Sequence, residues 1–385
     1  MIIKNCKIIL LNNIKLGSVI IENGIIKNII TDENSSMYNI KTPYPIIDAE
    51  GLYLSPGFID IHIHGAGGYD TMDGTYNSIN NISKTILKYG TTSFLPTTMT
   101  CPISVISKAI TAVKSAIMKG TEGANVLGVH LEGPFISPYM LGAQNICFIE
   151  KPSIATFNSI VGNNIDIIKS ITLAPEIPGA MELIKYMSSL GLTVSLGHSN
   201  VTYTQVMEGI KAGISHATHL FNAMSPLHHR EPGAVGAIFD SNITSELICD
   251  GIHVSYPSIR MALKLKSIHN IILISDAIIA CDMPNGVYTL GGQTINVVNG
   301  EAKLSDGILA GSTLTLDKAI RNLYKNTTYA LHELVRMATY NPAKHCGVHN
   351  YKGIIKEGHD ADLLLFDENI NIKKVILGGK VHNIF

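Results

Sequence analysis

Eight apolar runs recur along the middle of this chain with helix-forming stretches between them, and that alternation leaves few folds open. The runs span 54–64, 92–96, 126–132, 168–174, 193–198, 214–219, 246–253 and 271–276, interleaved with helical stretches such as 104–119, 180–190 and 204–212. Strands separated by helical crossovers lie parallel, and eight such units predict an α/β fold, a closed (β/α)8 TIM-like barrel of roughly 250 residues. With 385 residues the chain has material for a second, smaller domain. Short Ile-rich runs broken at Asn12-Asn13 and Asn23-Gly24, and a tail of similar texture near 353–366, predict a small β-sandwich domain built from both chain termini, residues 1–53 and 350–385. The barrel then occupies 54–349, with a β-hairpin insertion at about 286–307 and a helix from about Leu316.

Composition narrows the partners. Apolar residues make up 46% and charged residues 15%, which supplies a large core and argues against disorder. A formal net charge of −1 with interspersed signs offers no basic field for nucleic acid or an anionic membrane, so a small molecule is expected. No apolar run approaches the roughly 20 residues that cross a bilayer. Cys6, Cys101, Cys147, Cys249, Cys281 and Cys346 are scattered without a C-x-x-C pair, and no export signal precedes the first run. Reduced thiols in the cytoplasm are the simplest expectation.

The runs end in residues that bind metals. In Phe58-Ile59-Asp60-Ile61-His62-Ile63-His64 the two histidines stand one residue apart, so their side chains leave the same face of a strand. Further runs end at Glu132, His198, His219 and Asp276. Active sites of such barrels lie at the C-terminal ends of the strands, where four imidazoles and two carboxylates would meet around a divalent zinc or iron ion. His130 and His216 fall inside runs and are read as core or supporting residues; Glu176, after the fourth run, receives no role.

Six segments carry a family likeness. Pro56-Gly57-Phe58-Ile59-Asp60-Ile61-His62-Ile63-His64-Gly65, His130-Leu131-Glu132-Gly133-Pro134-Phe135, Leu196-Gly197-His198-Ser199, His219-Leu220-Phe221-Asn222-Ala223-Met224, Asp250-Gly251-Ile252-His253 and Ser275-Asp276-Ala277 together resemble N-acetylglucosamine-6-phosphate deacetylases of the metal-dependent amidohydrolase superfamily. The resemblance implies that Glu132, His198 and His219 bind the principal metal, that His62 and His64 can hold a second, and that Asp276 is the catalytic acid and base. It also implies substrate contacts from Ala143, Gln144, Asn222, Ala223, Arg230, His253, Leu309, Ala310 and Gly311, and a homodimer. One position departs from the family pattern: where histidine is usual, this chain has Gln144, followed by Asn145 and Ile146.

The chemistry so implied is hydrolysis of the acetamide of N-acetyl-D-glucosamine 6-phosphate in amino-sugar catabolism and cell-wall sugar recycling. A divalent metal supplies the nucleophile by acidifying water, Asp276 moves the proton to the departing amine, and His253 helps stabilise the oxyanion. Arg230, in a loop after a barrel strand, has the planar fork that suits phosphate. Two alternatives differ in class. Another amidohydrolase reaction, on a cyclic amide or a nucleobase, would keep the metals but lack the Asn222-Ala223 and Arg230 segment. A non-catalytic scaffold would lack ligands or the proton carrier, and here every one is present.

Overall fold

The computed structural model describes residues 1–31 and 44–382; the portions of the expected small domain at 32–43 and 383–385 lie outside the described residues. The barrel strands are Phe58–Ile63, Thr91–Pro96, Val129–Glu132, Ile168–Leu173, Thr193–Leu196, Ile214–Ala217, Thr244–Ile248 and Ile271–Ile274. The last six pair in sequence order as one parallel sheet, and the first two pair with each other. Parallel bridges from Thr97 to His130 and from Ile63 to Ala277 join the two sheets into a ring. The second seam is reinforced by the backbone bonds His64 N–H to Ala277 O (2.8 Å) and Asp276 N–H to His62 O (2.9 Å).

Several strands stop earlier than their apolar runs. The sixth ends at Ala217, the seventh at Ile248 and the eighth at Ile274. His219 and Asp276 therefore sit in the turns beyond the ladder, and His253 in a longer loop. The reason is local backbone geometry. His198, His219 and Asp276 adopt φ of 49°, 27° and 49°, a left-handed conformation that cannot continue a strand. Such turns are uncommon for side chains with a Cβ and concentrate at functional sites.

Helices pack outside the ring by the expected periodicity. Ile103–Lys119 buries Ile106, Ile110 and Val113 on one stripe, and Tyr203–Ala212 starts from a capping box between Thr202 and Gln205. The insertion has one strand more than a hairpin: Gly286–Leu290, Gln293–Val298 and Glu301–Leu304 form an antiparallel sheet. Both of its turns, Gly291-Gly292 and Asn299-Gly300, have two successive positive φ angles, the backbone that tight two-residue hairpins require. The helix after it runs Leu316–Asn326.

Both ends of the described chain enter one further sheet. Its order is Lys380–His382, Ile372–Leu377, Leu363–Phe366, Tyr53–Pro56, Ile2–Ile9, Ile14–Glu22 and Ile25–Thr31, with Ile46–Asp48 beside Ile2–Ile9. The sheet folds over so that its ends meet, Gly379 packing on Gly24. Ile3, Ile8, Val19, Ile26, Leu363, Leu365 and Ile376 form a core separate from that of the barrel. The run at 54–64 is divided between the two units at Gly57, where an added Cβ would come 2.1 Å from Thr92 Oγ1. Tyr53–Pro56 pairs in the terminal sheet, whereas Phe58–Ile63 starts the barrel.

Candidate metal centre

At the C-terminal mouth of the ring, His62, His64, Glu132, His198, His219 and Asp276 converge. Glu132, 1% exposed, is the hub. Its Oε1 lies 3.2 Å from both His198 Nε2 and His219 Nε2, and Oε2 lies 3.3 Å from His64 Nε2. His62 Nε2 is 3.5 Å from Glu132 Oε1 and 3.3 Å from His64 Nε2, while Asp276 Oδ1 is 3.4 Å from His62 Nε2 and 3.3 Å from His64 Nε2. Ligands about 2.0–2.2 Å from a tetrahedral ion lie about 3.3–3.6 Å from one another. The spacings fit two ligand groups, His62–His64–Glu132 and Glu132–His198–His219, that share one carboxylate.

Hydrogen bonds fix which ring nitrogen faces inward. His198 Nδ1 meets the Met140 carbonyl at 3.0 Å and His219 Nδ1 the Asn222 carbonyl at 3.1 Å. A carbonyl only accepts, so each Nδ1 carries a proton and Nε2 is the atom left for a metal. His62 Nδ1 donates to Glu246 Oε2 at 2.9 Å with the same result. His64 Nδ1 is buried and unpartnered.

Electrostatics follow from this crowding. Burial works to lower the pKa of His64, but Asp276 and Glu132 outweigh it and raise the ring to about 9. His62 is likewise raised against burial by Glu246, Glu132 and Asp276. Burial pushes Glu132 and Asp276 up, yet the surrounding histidines hold both below the usual carboxylate values. Without a metal, these ligands therefore keep their charge by sharing protons. A divalent cation held by either ligand group would replace those protons.

A cavity opens above the cluster. Its lining includes His64, Glu132, Ala143, Gln144, His198, His219, Asn222, Ala223, His253, Asp276, Leu309 and Gly311. His62 lies beneath, 0% exposed, and Ala310 is buried behind its two lining neighbours. His253 Nδ1 is held by Asp250 Oδ2 at 2.7 Å, which leaves Nε2 for a ligand. Arg230 does not line this cavity. It stands on an exposed turn with Nη1 2.8 Å from His229 Nε2.

Three carboxylates given no role from sequence prove structural to the centre. Glu246 accepts from His62 Nδ1, from the His219 backbone N–H (3.0 Å) and from His216 Nε2 (3.3 Å). Asp60 Oδ1 accepts from the backbone N–H groups of His62 and Ser275, both at 3.3 Å, and burial pushes its carboxyl up to about 6. Glu176 accepts from Ser199 Oγ (2.6 Å) and Asn200 N–H (2.7 Å), pinning the turn after His198. A charged residue at an inward position of an apolar run, as at Asp60 and Glu246, was the signal available in the sequence.

Residues 53–382 match the model of the amidohydrolase family. Among relatives, the chain is 41% identical to an N-acetylglucosamine-6-phosphate deacetylase of Lysinibacillus sphaericus, over 87% of each chain. It is 37% identical to one of Bacillus subtilis, over 99% of this chain and 96% of that one. An N-acetylgalactosamine-6-phosphate deacetylase of Escherichia coli O157:H7 is 34% identical over 88% of this chain and 90% of that one. Of solved structures, the N-acetylglucosamine-6-phosphate deacetylase of Pasteurella multocida superposes with a TM-score of 0.93 at 32% identity, covering 99% of both chains. A mutant of the Mycobacterium smegmatis deacetylase in complex with N-acetyl-D-glucosamine-6-phosphate gives 0.90 at 26% identity, covering 99% of this chain and 98% of that one.

Proposed function

The chain belongs to the amidohydrolase family, and on that premise we propose that it hydrolyses N-acetylglucosamine 6-phosphate to glucosamine 6-phosphate and acetate in amino-sugar catabolism. One observation carries the reading: Asp276 stands at 3.3–3.4 Å from two histidines of a Glu132-bridged ligand cluster, on the floor of a cavity walled by Asn222, Ala223 and His253. Glu132, His198 and His219 would hold one divalent ion, zinc or iron, and His62 and His64 with Glu132 a second. A bound ion supplies a nucleophile at neutral pH by bringing the pKa of water from 15.7 to about 7.

The remaining work falls to the chain's own groups. Asp276, kept ionised by its histidine neighbours, takes a proton from the attacking water and returns it to the departing amine. Without that second transfer the leaving group would be an amide anion. His253, its Nδ1 tied to Asp250, offers Nε2 to the acetyl oxygen as negative charge develops. Ala143, Asn222, Ala223, Leu309 and Gly311 form the sugar wall, backed by the buried Ala310, with Gln144 beside the metal ligands. Arg230 follows that wall in sequence and is assigned to the phosphate for its bidentate fork.

A homodimer and a cytoplasmic location belong to the same reading. The two loops that carry Gly142–Gln144 and Asn222–Ala223 also expose Tyr139, Ile146 and Leu227, apolar surface that a second subunit would cover. All six cysteines are unpaired, as a reducing compartment keeps them. The test is acetate release by metal-loaded protein from N-acetylglucosamine 6-phosphate, its galactosamine epimer and the unphosphorylated sugar. The first should be preferred. Galactosamine preference would move the assignment to the epimer that one relative is named for, and metal without acetate release would favour another amidohydrolase reaction.

A further inference from the structure

Gln144 is the position where this chain departs from the family pattern, and its surroundings give it a defined task. It is 5% exposed in a loop whose neighbours Tyr139 and Ile146 are 80% and 56% exposed. Its Oε1 accepts the Thr100 backbone N–H at 2.8 Å, and its Nε2 donates to Glu132 Oε2 at 2.8 Å. This orientation of the amide is dictated by its partners. A backbone N–H can only donate and an ionised carboxylate can only accept, so the opposite flip would lose both bonds.

The loop around it grips a second ligand as well. Met140 O receives His198 Nδ1 at 3.0 Å, and Ser137 N–H bonds His198 O at 2.8 Å. The loop is in turn fastened to the inserted sheet, because Gln293 Nε2 donates to Ala143 O at 2.7 Å. Two ligands from different strands, Glu132 and His198, are thus oriented by one loop.

We propose that Gln144 is a positioning residue that sets the plane of the bridging Glu132 carboxylate, and that its side chain belongs to the metal centre rather than to sugar recognition. This rests on the metal-centre reading above. With Oε2 tied to Gln144, Oε1 is turned to His198 and His219, and Oε2 keeps its second lone pair toward His64. Both hydrogen bonds of the amide run to the protein, which leaves a sugar hydroxyl only its second N–H or the remaining Oε1 lone pair.

Gln144→Met retains side-chain length and removes both bonds; Gln144→Glu keeps an acceptor for Thr100 but sets a second carboxylate against Glu132 Oε2. Zinc affinity is read by competition with a chromophoric chelator, KM and kcat are read at saturating zinc, and metal-free melting curves report folding. Loss of a group that orients a metal ligand costs about 10–100-fold in metal affinity. We expect that loss in both variants, with KM for the phosphosugar within about twofold of the parent. Unchanged zinc affinity with a raised KM would overturn the proposal in favour of a substrate contact. A parent chain that binds no zinc would instead overturn the metal-centre reading itself.

Discussion

Two layers of histidine occupy the same barrel and behave in opposite ways. In the upper layer His62, His64, His198 and His219 turn Nε2 toward Glu132. In the lower layer His130 and His216 spend their ring nitrogens within the protein: His130 Nε2 meets Thr172 Oγ1 at 2.7 Å, and His216 contacts Thr244 Oγ1 at 2.6 Å and Glu246 at 3.3 Å. His345 packs edge-on to His216 at 4.4 Å. Both layers are buried, so burial does not separate them. The Glu132 carboxylate does. Burial, with the nearby His62 charge, lowers His130 to about 3, whereas Asp276 and Glu132 raise His64 to about 9 against the same penalty. What marks the upper layer is a ring nitrogen turned to the shared Glu132 carboxylate; His216 also meets a carboxylate, Glu246, but spends both ring nitrogens on partners below that point.

The sharpest way to break this contrast is to remove Asp276, the proposed proton carrier, and leave both layers in place. Asp276→Asn should lower kcat by about 10²–10⁴-fold while the protein still folds; a fall of less than tenfold would assign the proton transfer elsewhere. Next comes pH. His64 holds its proton at neutral pH, and a metal must displace it, so affinity falls as pH drops below about 9. For one displaced proton the loss is about tenfold per unit, hence about 100-fold between about pH 8 and pH 6. Zinc titration in weak buffer should show acid release, and a pH-independent affinity would contradict it. In the metal-free protein the dependence has the opposite sign. The stability contributed by His64 is complete below its ordinary 6.5 and is lost as pH rises through about 9.

Glu246 joins the layers, and its removal tests whether the lower one supports the upper. Glu246→Ala leaves His62 Nδ1, His216 Nε2 and the His219 N–H without their acceptor. Metal affinity should drop about 10–100-fold and stability by about 3–5 kcal/mol, read by chelator competition and by chemical unfolding. Arg230→Ala should raise KM for the phosphosugar by about tenfold or more with metal content intact. An unchanged KM would remove Arg230 from the site. The smallest effect is expected for His130→Gln, a neutral group replaced by a neutral group. Zinc affinity should change by less than about threefold, the mark of a support and not a ligand.

The cluster of candidate ligands was legible because each lies at or just past the end of an apolar run, and because His62 and His64 share the two-residue strand period. The eight-unit alternation was enough for the barrel. What stayed hidden depends on contacts across the ring. Glu246 bonds His62 at a separation of 184 residues, and no local pattern marks that pairing. Gln144 reads in the sequence as a substrate contact standing where histidine is usual, and its bonds to Thr100 and Glu132 are likewise contacts between distant segments. Strand ends were overread at His219, His253 and Asp276, since hydropathy continues through a turn whose left-handed backbone it does not register. Arg230 illustrates the remaining gap: sequence put it next to the sugar wall, and the fold leaves it outside the cavity lining.

The sheet shared by both ends has a consequence for biosynthesis. Tyr53–Pro56 leaves the ribosome before the barrel strands, but its neighbour Leu363–Phe366 emerges only after all eight of them. Until then one margin of the early strands stays open to the solvent, a ready template for any other nascent chain. A stall or premature stop shortly before Leu363 would release a finished ring carrying an unsealed edge, and aggregation, rather than lost chemistry, would be its first symptom.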